Sequence, residues 1–420
     1  MEDFAAAYGD RVRAVAERLV RFETTAGDEA PAQEWVGDRL ADLNFETYTW
    51  TADADALASH PSFAPARDLS TEDRPSVAGV LELGDPDAGR TLVLNGHVDV
   101  VPAGESGWTG DPFEPRWEGD RLIGRGAVDM KSQLAICVFA ARYLADLVEA
   151  GEFDLDGRIV VESVAGEEDG GIGAATAARS NPYPFERDAA VVAEPTDMRV
   201  VTATEGCLMG RIGIEGTPAH AARRWEGESV LPAFERVRRA FVDLEAERAD
   251  AVTHPLYDRF DVPWPIVIGR VEAGTWASNV PGTLTAEFRA GVAPGESLDS
   301  VEAACRDALD DLAAADDWTV DPPTLGRFGV QFESAEIDPD EPVVVALRES
   351  MAAAGLPRAE PVGETYGSDA RHYIEAGIPT VVFGPGRIEE AHFPDESIRW
   401  PDVLTAGEVL VETARRFLSD

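Results

Sequence analysis

The chain has 420 residues, 44% of them hydrophobic, with 79 acidic against 36 basic side chains and a formal net charge of −43. That length leaves room for two or three domains with real cores, and the hydrophobic share excludes a disordered chain. The acidity argues against nucleic acid and anionic membranes as partners.

Lys131 is the only lysine, and the acids are spread along the chain rather than gathered in a tail. A surface of this kind is expected of a salt-in halophile, where screening tolerates self-repulsion. The start, Met1-Glu-Asp-Phe, has no apolar leader, and no run of 18 apolar residues occurs, so neither secretion nor membrane insertion is expected. Cys137, Cys207 and Cys305 are odd in number and share no paired spacing, which fits buried thiols in a reducing cytoplasm.

In chain order, residues 4 to 43 predict two amphipathic helices, with Leu19, Val20, Val36 and Leu40 at helical spacing. Residues 51 to 75, rich in Ala, Asp, Ser and Pro, predict a loop without chemistry. From 76 to 200 strands alternate with helical segments, among them 132 to 149, which predicts an α/β sheet flanked by helices. Near 206 the pattern changes. Strands are expected over 208–215, 265–272, 283–292 and 318–320, with helices over 226–248 and 297–314. This β-α-β-β-α-β order is that of a ferredoxin-like α+β unit. After about 326 the α/β alternation resumes, with a helix over 342–354 and a strand over 380–383. The expected division is therefore a discontinuous domain, 1–205 with 326–420, and an inserted domain, 206–325.

The chemistry gathers at strand ends, where an open α/β sheet places its sites. The apolar run from Thr91 to Asn95 delivers His97 and Asp99 two residues apart, the pattern of a metal-ligating histidine held by a carboxylate. Asp129 precedes a long apolar helix, Glu167, Glu168 and Asp169 end one strand, Glu194 ends another, and His392 follows the strand near 380. Mixed imidazole and carboxylate donors suit zinc, or cobalt or manganese. There are more donors than one tetrahedral site needs, which favours two metals.

The segments GHVDVVPAG, DPFEP, GRGAVDMKSQLA, AGEEDGGIG, AEPT, GTPAHAA, SNVP, GSDAR, GPG and AHFPDE occur in this order over nearly the whole chain. Together they resemble the co-catalytic zinc peptidase and aminoacylase family, which includes acetylornithine deacetylase, succinyl-diaminopimelate desuccinylase, aminoacylase-1 and glutamate carboxypeptidase. The resemblance implies a catalytic domain with a mixed central sheet and an inserted lid through which two chains form a homodimer. It implies two zinc ions, with His97 and Glu194 on one, Glu168 and His392 on the other, and Asp129 bridging them.

By the same resemblance, Asp99 orients His97, Glu167 is the general base, and His220 stabilises the oxyanion, sometimes from the partner subunit. Taken alone, His220 reads as a surface histidine in a turn. Asn279, Arg289, Ser368, Arg371, Gly384 and Gly386 match substrate-holding or pocket-lining positions, and Arg289 suits a bidentate grip on an α-carboxylate. Glu194 stands where some members carry Asp, and Ser368 where Thr is common. The implied reaction is hydrolysis of an N-acyl amino acid through a metal-bridging hydroxide, with a dipeptidase or carboxypeptidase as the alternative. The rival from another class is a non-catalytic relative that only binds a carboxylated ligand. His60 and His254 receive no role, and His372 is as readily structural as functional.

Overall fold

Alternate side chains of the strand Arg90–His97 serve two different cores. Leu92 and Leu94 point into the larger one, built with the helices Phe4–Val20, Ser132–Glu149 and Trp400–Ser419. Val93 points the other way, towards Ala174, Ala178, Tyr183 and Tyr373. This strand is thus covered by helices on both faces, which is why it reads as a continuous apolar run rather than an alternating one.

The structure is a computed structural model that describes residues 3–64, 69–104, 106–315, 318–357 and 359–419. Its largest sheet has nine strands. The four at its centre, Gly157–Val164, Arg90–His97, Ala189–Val192 and Thr380–Val382, are mutually parallel. Their carboxyl ends therefore share one edge. Antiparallel strands on both sides make the sheet mixed, Pro75–Leu83 on one and Val200–Thr204 on the other.

Val200–Thr204 runs through Glu205 directly into Gly206–Glu215, the first strand of a separate four-stranded antiparallel sheet. Its other strands are Ile266–Ala273, Thr283–Val292 and Thr324–Arg327, and its inner face packs on the helices Val230–Ala251 and Leu298–Ala313. The spatial order, second, third, first, fourth, is the ferredoxin-like one expected. The fourth strand is Thr324–Arg327, not residues 318–320. Pro322 and Pro323 lack the N–H groups a ladder needs, so pairing starts only after them. The helix after the first strand begins at Val230 rather than 226 because the Ser229 hydroxyl caps it, accepting from the Leu231 N–H.

The two amino-terminal helices form as expected, at Phe4–Val20 and Ala30–Asp42. The expectation for 51–75 needs correction. Residues 65–68 lie outside the described residues, but the stretch holds a short helix, Ala54–Ala58, and supplies Arg74 to Asp169 at the carboxyl-end edge of the sheet. The helix is capped by the Asp53 carboxylate, which accepts from Asp55 and Ala56.

Candidate metal centre

Asp129 faces two histidines with its two oxygens. Oδ1 lies 3.0 Å from His97 Nε2, and Oδ2 lies 3.4 Å from His392 Nε2. Glu194 Oε1 is 3.9 Å from the same nitrogen of His97, and Glu168 Oε1 is 3.0 Å from that of His392. His97, Asp129 and Glu168 place ligand atoms within 4.8 Å of one another, and so do His97, Glu167 and Glu194. All five residues expected to hold metal, and Glu167 with them, therefore meet at the shared strand edge.

Local structure explains each placement. His97 ends its strand, and its Nδ1 hydrogen-bonds the backbone carbonyl of Asp99 at 2.9 Å, which leaves Nε2 facing the carboxylates. Asp129 sits in an irregular turn before the helix Ser132–Glu149. His392 has a left-handed backbone, φ 65°, unusual for a residue with a side chain, and this turn aims the ring at Glu168 and Asp129.

The Asp99 carboxylate is 3.8 Å from His97 Nδ1, beyond a hydrogen bond. It instead receives the backbone N–H groups of Gly166, Glu167 and Glu168 at 2.8, 3.2 and 3.0 Å. Its contact with His97 is made by the main chain, and its side chain shapes the loop that carries Glu167.

The electrostatics are those of a site built for cations. Burial, reinforced by Glu194 and Asp369, pushes the Glu167 carboxyl well above the usual range. Glu194 is raised in the same way by burial and by Asp129, and Glu168 also titrates high. Hydrogen bonds donated by its ring to the Asp129 and Glu168 carboxylates lift His392 to about 10. Four carboxylates against two imidazoles leave an excess of negative charge in a buried space. Divalent cations with oxygen and nitrogen preferences fit this donor set.

Sequence reading missed several supports. Glu396 is buried, accepts the N–H groups of Val128 and Asp129 at 2.9 and 3.2 Å, and pairs with buried Arg125 at 2.6 Å. Its place beside His392 in the AHFPDE run was the available signal. Arg74 bridges buried Glu29 at 2.6 Å and Asp169 at 2.8 Å, and nothing local marks it. His372 is structural in its contact, meeting the Gly170 carbonyl at 3.0 Å behind the Glu167 loop. His60 bonds Glu375, and His254 bonds Glu336.

The expected substrate contacts divide into groups. Arg371 is buried and donates to the Gly170 carbonyl at 2.5 Å. Ser368 Oγ and both Asp369 oxygens are buried with no hydrogen-bond partner among the described residues. Gly384 and Gly386 stand where packing leaves no room for a side chain. A Cβ at Gly384 would stand 2.5 Å from the Glu194 carbonyl oxygen, and one at Gly386 2.3 Å from Val128. His220 and Asn279 are paired across a short antiparallel ladder at the end of the second sheet, both exposed. They do not belong to the convergent cluster. Arg289 lies on the open face of the second sheet, 3.1 Å from Glu205. Along that face, Arg211 and Thr285 line a cleft of about 930 Å³ whose opposite wall includes Arg74 and Asp169.

Known proteins resemble this chain over most of its length. A model described as peptidase family M20/M25/M40 matches residues 93–416. An N-formyl-4-amino-5-aminomethyl-2-methylpyrimidine deformylase of Bacillus subtilis is 26% identical over 424 residues, covering 95% of this chain and 92% of that one. An acetylornithine deacetylase of Edwardsiella ictaluri is 26% identical over 332 residues, 78% of this chain and 80% of its own. Among solved structures, a dipeptidase of Saccharomyces cerevisiae superposes with a TM-score of 0.73 at 13% identity, covering 99% of this chain and 98% of that one.

Proposed function

The chain belongs to peptidase family M20/M25/M40 and is a hydrolase of amide bonds, and we propose that within this family it is a deacylase releasing an amine from a small N-acyl compound. N-acyl amino acids are the class put first, and dipeptides are the second reading. The observation that carries the proposal is the two-sided Asp129, with a histidine and a glutamate gathered at each of its oxygens.

Two zinc ions, or cobalt or manganese in their place, would be held by His97 with Glu194 and by Glu168 with His392, Asp129 being common to both. When bound, the ions supply Lewis acidity and make water acidic enough to ionise near neutrality. The chain's own groups do the rest. Glu167 takes the proton from the attacking water and passes it to the departing amine nitrogen. Arg289 takes the carboxylate of the released amino acid, and His220 donates to the oxyanion of the attacked carbonyl.

His220 stands with Asn279 at the far end of the second sheet, which favours its reaching a site in a second copy. The strand Ile266–Ala273 is an open edge of that sheet, and Trp225 and Trp276, 74% and 70% exposed, flank the His220–Asn279 pair. We therefore include in the proposal a homodimer through the segment 206–325, with 1–205 and 326–420 as the metal-holding unit, working in the cytoplasm. No described helix is long and apolar enough to cross a membrane.

The test is a panel of N-acetyl, N-succinyl and N-formyl amines and dipeptides, assayed for amine release in high salt with zinc or cobalt. Absence of hydrolysis across the panel, with the protein folded and metal-loaded, would sink the deacylase and dipeptidase readings together and leave a carboxylate-binding relative.

A further inference from the structure

Glu205 joins the two sheets, being the single residue between Val200–Thr204 and Gly206–Glu215. A glutamate at a junction normally turns to water. This one is 1% exposed, set against a glycine that admits it: a Cβ at Gly291 would stand 2.1 Å from Glu205 Oε1. Its ion-pair partner is Arg289, whose Nη2 donates to Oε1 at 3.1 Å. Oε2 has no hydrogen-bond partner among the described residues, and neither has Arg289 Nε.

Arg289 is not a core residue. Its side chain is 36% exposed, and it alternates along Thr283–Val292 with the same face as Thr285, which lines the cleft. On its other side it reaches Cys207, which bridges to Phe332, and the Phe332 ring carries the guanidinium of Arg371 at 4.4 Å. Arg371 in turn holds the Gly170 carbonyl of the Glu167 loop. Arg289 thus stands on the face that carries the cleft, next to the Glu205 junction and on the side connected to the Glu167 loop.

We propose that Glu205 is a specificity-determining residue: it is the chain's own carboxyl occupant of Arg289, and a substrate carboxylate binds there by displacing it. This rests on the reading of Arg289 as the carboxylate grip. A guanidinium carries one positive charge, so an internal carboxylate that already neutralises it weakens binding of an external one. Selectivity for carboxylate-bearing over carboxylate-free substrates is then set by the competition, not by Arg289 alone.

The surroundings give the competition a pH dependence. The groups facing Glu205 are Arg289 on its own sheet, Arg248 on the helix Val230–Ala251, the Tyr257 hydroxyl and the Cys207 thiol. Burial outweighs the two arginines and raises the Glu205 carboxyl to about 8. Below that pH the group is protonated and holds Arg289 only as a neutral hydrogen-bond partner. Above it, the ionised carboxylate is a full competitor.

The experiment is calorimetric binding of N-acetylalanine and of its carboxylate-free counterpart N-ethylacetamide at pH 7 and pH 9.5, for the parent, Glu205→Gln and Arg289→Gln. The parent's preference for N-acetylalanine should fall by ~10-fold or more between the two pH values, the size of a charged hydrogen bond. Glu205→Gln should keep its preference at pH 9.5, and Arg289→Gln should show none at either pH. A parallel loss of preference in the parent and Glu205→Gln overturns the proposal. So does a preference retained by Arg289→Gln, whose exposed position makes it the safer variant to fold. Because binding is read rather than turnover, failure of the deacylase reading would show separately, as tight binding without hydrolysis.

Discussion

The Asp99 carboxylate holds the backbone of Glu167: Oδ1 accepts the Glu167 N–H at 3.2 Å, while the flanking N–H groups of Gly166 and Glu168 bind the same carboxylate. Both carboxylate oxygens are used, so the loop after Gly157–Val164 is fixed by a side chain delivered from the neighbouring parallel strand. A neutral amide in that place has one acceptor oxygen and two donors that would face N–H groups. Asp99→Asn should therefore lower kcat by ~10-fold or more with KM little changed, as a charged acceptor of three donors is lost. Zinc content equal to the parent with reduced kcat marks a positioning role. Loss of zinc in step with activity would instead make Asp99 a support of the His97 side.

Glu167 and Glu168 are neighbours with different surroundings, since only Glu168 meets His392. Glu167→Gln should retain two metal ions per chain and lose turnover by ~10²–10⁴, the usual worth of a positioned acid–base group. Glu168→Gln should lose metal first, seen as a stoichiometry near one. Metal analysis beside single-turnover rates separates the two, and the reverse outcome would exchange the assignments.

Glu396 is paired with buried Arg125 and accepts two backbone N–H groups at Asp129. Glu396→Gln leaves a buried guanidinium without its counter-charge, which typically costs about 3–5 kcal/mol. Chemical denaturation should show that loss, and metal affinity should fall with it because the Asp129 turn is released. A variant as stable as the parent would show that Arg125 finds another partner.

Glu205 also ties stability to pH. Its carboxyl is raised from 4.5 to about 8 in the folded chain, so the folded state keeps a proton that the unfolded state has given up. The contribution is fully present below about 4.5 and is lost as pH rises through about 8. Glu205→Gln carries no such proton, so its melting temperature relative to the parent should rise between pH 5 and pH 8.5. A constant difference across that range would contradict the shift.

A net charge of −43 on one chain repels itself when unscreened. Dialysis from molar salt into ~10 mM salt, where screening extends to ~30 Å, should lower the melting temperature progressively. An unchanged melting curve would show that the acids are spaced or paired well enough to need no screening.

The sequence by itself determined the elements that carry chemistry. Apolar runs ending in His97, Glu167 and Glu194 are strongly marked because strands buried on both faces cannot alternate with polar residues. Their common parallel direction then puts their ends on one edge. His392, Asp129 and the ferredoxin-like order followed from local pattern and motif in the same way. Only the tertiary structure decided which atoms meet. The Asp99 carboxylate serves a loop 67 residues away rather than His97, Arg74 reaches Asp169 from a stretch that reads as featureless, and Glu205 lies on Arg289 across 84 residues. Such contacts leave no period or spacing in the chain. They are set by how the segments pack, and a buried charge takes whichever partner the packing brings within reach, because leaving it alone costs more.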